Sequence, residues 1–129
     1  MIAPILAVVD IEASIEFYTQ KLGFTHEWSM PPGVNGKTDF ACVKLDGSEI
    51  LLGTMDFVAQ GDESKRGTGI QLYIELSSSV DIDAIYTQAK STGVNITRPI
   101  EDRDWGERAF NFKDPDGYHY MLAKRIPKS

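Results

Sequence analysis

The strongest constraint on this chain is an order of elements that it spells twice: strand, helix, then three strands. In the first half, residues 3–9 read as a strand that ends at Asp10, a good helix N-cap. Ile11, Ile15, Tyr18 and Leu22 then fall at steps of four, three and four, the period of a helix with one buried face, and Gly23 supplies its stop. Residues 24–30 alternate, with Phe24, His26, Trp28 and Met30 on one side. Residues 31–36 read as a loop, and strands 38–45 and 49–54 hinge on Asp46-Gly47. Residues 60–69 (QGDESKRGTG) are polar and glycine-bearing, a candidate boundary.

The pattern then restarts. Residues 70–76 form a strand, Ser77-Ser78-Ser79 offer N-caps, and residues 81–92 form a helix with Ile82, Ile85, Tyr86 and Ala89 on one face. Residues 94–98 read as a strand and 99–105 as a loop, followed by a hairpin of strands 107–113 and 118–124. Its turn is Asp114-Pro115-Asp116-Gly117. Proline presets φ, aspartate bonds the local backbone and glycine accepts positive φ. Both helices also carry Tyr-Thr-Gln, at 18–20 and 86–88, which fits an internal repeat. Neither half has a second helix, so one sheet face in each stays open for a ligand, a partner or its twin. The reading is a single domain over 1–129, with module 1 at about 1–59, a linker at 60–69 and module 2 at about 70–129.

Composition narrows the function. A formal net charge of −6 without a basic patch disfavours nucleic acid and weakly favours cationic ligands. The apolar opening, residues 1–9, lacks a basic leader and is too short to span a bilayer, so it reads as a strand and no membrane partner is expected. One cysteine, Cys42, excludes an internal disulfide and fits a reducing cytoplasm. It has no base beside it and reads as a small buried hydrophobe.

Several stretches together resemble the vicinal oxygen chelate superfamily of glyoxalases, bleomycin-resistance proteins and ring-cleaving dioxygenases. They are Val8-Val9-Asp10 leading to Ile15-Glu16-Phe17-Tyr18, Leu22-Gly23-Phe24, Tyr73-Ile74-Glu75-Leu76, and Trp105-Gly106-Glu107-Arg108 leading to Asp114-Pro115-Asp116-Gly117. The resemblance implies an α+β fold of two βαβββ modules forming a curved mixed sheet, a cup, in a homodimer. The cup of such proteins takes either a divalent metal with substrate or a bare organic ligand. Metal enzymes of the family place His or Glu at four cup-facing positions, which here match Ala3, a position near Leu51 or Leu52 with Glu49 close by, Gln71, and Met121. A catalytic divalent site wants about three good ligands around an open position, so the enzymatic site is expected to be absent. A shifted site using His119, Glu49 and Glu75 is the alternative, because His119 shares a strand face with Met121. His26 reads as a surface strand residue.

The expected ligand set is Trp105, Gln71, Tyr73, Glu75, His119, Met121 and Glu49, aromatic and sulfur-rich with a few polar ends, suited to a planar organic molecule. Trp28 and Met30 share a face on the second strand. Glu75 needs water, a partner or a cation, whereas Glu107 and Arg108 read as paired or solvated. The expectation is therefore a cytoplasmic homodimer that sequesters a small organic ligand, cationic and aromatic in one form, without cofactor or catalytic residues, as in antibiotic resistance. The alternatives are a metal-dependent lyase, isomerase or dioxygenase with an atypical site, and an interaction module with a filled cup.

Overall fold

The computed structural model describes residues 1–32, 36–54 and 65–127. The chain forms two compact units, Met1–Arg66 and Gly67–Ser129. Residues 60–64, half of the polar stretch read as a linker, and part of the loop at 31–36 lie outside the described residues.

The first unit contains strand β1 (Ile5–Val8), helix α1 (Ile11–Glu16), a π-helical turn (Phe17–Lys21), and strands β2 (Thr25–Ser29), β3 (Phe40–Leu45) and β4 (Ser48–Thr54). Asp10 caps α1 through Oδ1, which accepts from Ala13 N at 3.2 Å. The expected helix over 11–22 thus changes type at Phe17. The wider π turn lets the adjacent Phe17 and Tyr18 both reach the core with Leu22. Tyr18 meets Phe17 and Phe24 edge-on, with centroids 5.2 and 5.1 Å apart. The strands pair in the order β1-β4-β3-β2, with β1 parallel to β4. Asp46 and Gly47 have φ of 47° and 87°, the paired positive angles that let a two-residue loop follow the sheet's twist.

Strand β2 departs from simple alternation. A bulge between His26 and Trp28 sets His26 opposite Val43 and Trp28 opposite Cys42, on opposite faces of β3. His26 and Trp28 therefore do not share a side. Trp28 sits beside Phe40, with centroids 5.5 Å apart, and His26 Nε2 meets Ser29 Oγ at 2.6 Å.

The second unit repeats the plan with β5 (Gln71–Leu76), α2 (Ile82–Ser91), β6 (Asn95–Asp102), β7 (Glu107–Lys113) and β8 (His119–Arg125), paired in the order β5-β8-β7-β6. The cap of α2 is Asp81, whose Oδ1 accepts from Ala84 N at 3.1 Å. The serines at 77–79 do not cap it. Strand β6 runs on through Pro99, where the sequence predicts the start of a loop. An edge strand with shifted register, as β6 is here, tolerates a residue that cannot donate to the ladder. The core of the unit is an aromatic layer. Phe112 stacks on Tyr120 at 4.8 Å with planes 4° apart, and Tyr86 of α2 meets Phe110 edge-on at 5.0 Å.

The β7–β8 turn closes as its residue types require. The buried Asp114 carboxylate accepts from Asp116 N and Tyr118 N, each at 2.9 Å, and Gly117 N donates to Asp114 O at 3.1 Å. The architecture is α+β, two four-stranded mixed sheets of matching order, each with one helix. Among the described residues no helix is long and apolar enough to cross a membrane.

Candidate functional site

Period-two alternation on β5 buries Ile74 and Leu76 and turns Gln71, Tyr73 and Glu75 to the opposite, exposed face. Parallel pairing with β8 sets His119 beside Gln71 and Met121 beside Tyr73 on that face. On β7, Asn111 lies opposite Met121, Ala109 opposite Ala123, and Glu107 opposite Arg125. Five of the expected residues, Gln71, Tyr73, Glu75, His119 and Met121, are thus brought onto one face of one sheet. Glu49 belongs to the first unit, on β4 opposite Lys44.

Trp105 stands at the tip of the turn between β6 and β7. Gly106 N donates to Arg103 O at 3.1 Å, and Arg103 N to Glu107 O at 2.6 Å, so the turn is closed from both ends. The indole is 60% exposed. With Tyr73, Ser78, Gly106, Glu107, Arg125, Ile126 and Pro127 it lines a cavity of about 810 Å³. The tail forms one wall, because Ile126 N donates to Gly106 O at 2.9 Å.

Glu107 organises this cavity. One carboxylate oxygen accepts from Trp105 Nε1 at 2.7 Å, and the other accepts from the Tyr73 hydroxyl. Trp105 and Tyr73, more than thirty positions apart in sequence, are therefore held by one carboxylate. Reading Glu107 as paired or solvated missed this role. The cue available in the sequence was its spacing, two residues from Trp105 across a glycine. Glu75 finds its partner in Arg125, with Nε 3.1 Å from Oε1, which answers the need of an outward carboxylate for a cation. Arg108 does pair, with Asp83 at 2.8 Å and Asp102 at 3.0 Å. Its hydrogen bond pulls the Asp83 carboxyl below the usual range.

Partial burial, then the Glu107 hydrogen bond and charge, push the Tyr73 phenol up to about 12. A raised value means that the contact stabilises the fold fully below the unfolded tyrosine value near 10 and is lost as pH rises through about 12. The ultraviolet titration of wild type minus Tyr73→Phe should therefore show a tyrosinate step near pH 12. A step near 10 would disprove the bond to Glu107.

One charged group on this face is buried, and no signal in the sequence marks it. Arg103 is only 5% exposed. Its Nη2 donates to Ala109 O at 3.3 Å and Asn111 Oδ1 at 3.2 Å, and its Cζ lies 5.8 Å from the centre of the Trp105 ring. Burial and the neighbouring Arg98 lower its proton affinity.

The metal positions carry the wrong donors. Met121 and Gln71 offer a thioether and an amide, and Ala3 offers no side-chain ligand. Among the described residues no group of three or more His, Cys, Asp or Glu side chains is placed to hold a metal ion. The shifted set divides between the two units, with Glu49 on β4 and Glu75 and His119 on β5 and β8, and the side chains at Ala3, Gln71 and Met121 do not fit a divalent centre. Cys42 is fully buried, and burial pushes its thiol up, away from the reactive thiolate.

Comparison with known proteins agrees with this architecture. The model of the Glyoxalase/Bleomycin resistance protein/Dioxygenase superfamily matches residues 2–122. Bleomycin resistance proteins of Geobacillus stearothermophilus and Staphylococcus aureus are each 30% identical over 132 residues, covering 95% of both chains. A crystal structure of a superfamily member from Sphaerobacter thermophilus superposes with a TM-score of 0.70 at 31% identity, covering 95% of this chain and 94% of that one. The crystal structure of TioX from Micromonospora sp. ML1, at 17% identity, has the same fold with a TM-score of 0.76, covering 100% of this chain and 98% of that one. The chain belongs to the Glyoxalase/Bleomycin resistance protein/Dioxygenase superfamily.

Proposed function

We propose that this protein sequesters a small organic ligand without a metal, as a homodimer, and that the ligand is a planar aromatic molecule carrying positive charge. The observation that supports this most directly is the Trp105–Glu107–Tyr73 arrangement. It sets an exposed indole and a phenol around one carboxylate at the edge of a cavity of about 810 Å³. Aromatic rings hold a flat ligand by stacking, and a carboxylate between them attracts a cation. Glu75 adds a second carboxylate on the same face, offset by Arg125. Gln71, His119 and Met121 extend the face with polar and polarizable groups. The donor set that an enzyme of the family would need does not favour the metal-dependent reading.

Titration with bleomycin and with 9-aminoacridine, a flat cationic dye, tests the proposal through intrinsic fluorescence. Wild type should be quenched on binding. Trp105→Ala should bind at least about tenfold more weakly, in line with the ~1–3 kcal/mol that stacking on an aromatic contributes. Unchanged affinity in that variant would remove Trp105 from the site. Stoichiometric retention of Ni, Co, Mn, Fe or Zn after purification, lost on changing His119 or Glu49, would overturn the metal-free reading. Sedimentation should give roughly twice the chain mass of 14.4 kDa.

A further inference from the structure

We infer that Arg103 is a positioning residue for ligand binding: its buried guanidinium backs one face of the Trp105 ring and so fixes the other face for the ligand. The inference rests on the ligand-binding reading above.

Three observations carry it. The first is location. Arg103 opens the turn whose tip is Trp105, yet its side chain reaches back over the open sheet face to Ala109 and Asn111. The second is its cost. A guanidinium removed from water needs its donors met, and here they are met incompletely. Glu101 Oε1 stands 3.4 Å from Nε as an ion pair, but that oxygen is engaged at 2.7 Å by Arg98, and the buried Nε has no hydrogen-bond partner among the described residues. An apolar side chain would fill the space without leaving a donor unmet, so packing alone does not account for an arginine.

The third observation is the ring itself. With the guanidinium 5.8 Å from its centre and 60% of the residue exposed, the indole has one face occupied and presents the other outward. Its N–H is fixed independently by Glu107 at 2.7 Å. A hydrogen bond at the edge alone leaves the ring free to swing about that bond, and a planar cation over one face restricts this swing. A ligand that stacks on a ring already held still loses less entropy on binding.

The test uses Trp28→Phe protein, so that Trp105 is the only reporter, and compares Arg103, Arg103→Met and Arg103→Lys. Time-resolved anisotropy is read first, without ligand. Arg103→Met should add a fast nanosecond depolarisation of Trp105, and Arg103→Lys, which keeps the cation without the planar fork, should add a smaller one. Affinity for 9-aminoacridine by calorimetry should then fall about tenfold in Arg103→Met and less in Arg103→Lys. If Arg103→Met does not fold, Arg103→Lys carries both readouts. Unchanged anisotropy in a folded variant overturns the role of Arg103 alone. Increased mobility with unchanged affinity overturns its link to the ligand. A parent protein that binds neither 9-aminoacridine nor bleomycin overturns the ligand reading itself and the inference with it.

Discussion

Gly67→Ala should be among the most damaging single changes in the chain, with a cost of about 3 kcal/mol or more. Two effects act together. Gly67 has φ of +82°, where an L side chain is strained by roughly 1–2 kcal/mol. A Cβ there would also stand 2.2 Å from Gly117 O and 2.6 Å from Gly117 C, both backbone atoms of the β7–β8 turn. Backbone cannot rotate aside as a side chain does, so either the turn or the segment leading into β5 must move. That turn is held by the two hydrogen bonds to the buried Asp114 carboxylate, which its displacement would strain. Gly47→Ala is the control. It has a similar φ of +87° but nothing within 4 Å of the added Cβ, and should cost only about 1 kcal/mol. Urea midpoints for the two variants, with m-values compared, check this. Equal costs would show that Gly67 does not meet the turn.

Phe110→Ala is expected to destabilise the second unit by about 3–5 kcal/mol, the range for deleting a buried aromatic whose cavity cannot collapse. Phe110 is fully buried, pairs with Leu122 across the sheet and takes the edge of Tyr86 from α2. Its loss uncouples the helix from the strand that presents Glu107, three positions earlier on β7. Denaturant unfolding should show a large drop in midpoint, accompanied by weaker quenching of Trp105 by 9-aminoacridine. A cost under about 1 kcal/mol would mean that neighbouring side chains close the space. For a domain whose total stability is on the order of 5–15 kcal/mol, both changes are severe.

The ligand face should be less sensitive. Tyr73, Trp105 and Glu107 lie at or near the surface, so changing them alters binding and titration more than folding. Stability and binding can thus be measured separately, which is what the Trp105 and Arg103 experiments need.

Much of the fold is legible in the sequence because its signals are local. Asp10 and Asp81 cap their helices, Asp46-Gly47 turns one hairpin and Asp114-Pro115-Asp116-Gly117 the other. Each depends on backbone chemistry within a few residues. Errors fall where a longer-range preference overrides the local one. The bulge in β2 answers to pairing with β3, the π turn at Phe17 to two adjacent aromatics sharing one core, and the extension of β6 past Pro99 to its place at a sheet edge.

By itself, then, the sequence determined the duplicated strand–helix–strands order, the family, and the side chains on the open face of β5 and β8, because alternation along one strand is periodic and needs no partner. Tertiary structure alone decided which groups meet across strands. Glu107 joins Trp105 to Tyr73, Arg125 answers Glu75, and Arg103 folds back beneath the indole. The contacts of Tyr73 and Glu75 depend on the register of β5, β7 and β8, where a shift of one residue would turn these side chains to the other face, and those of Trp105 and Arg103 on where a turn aims its side chains.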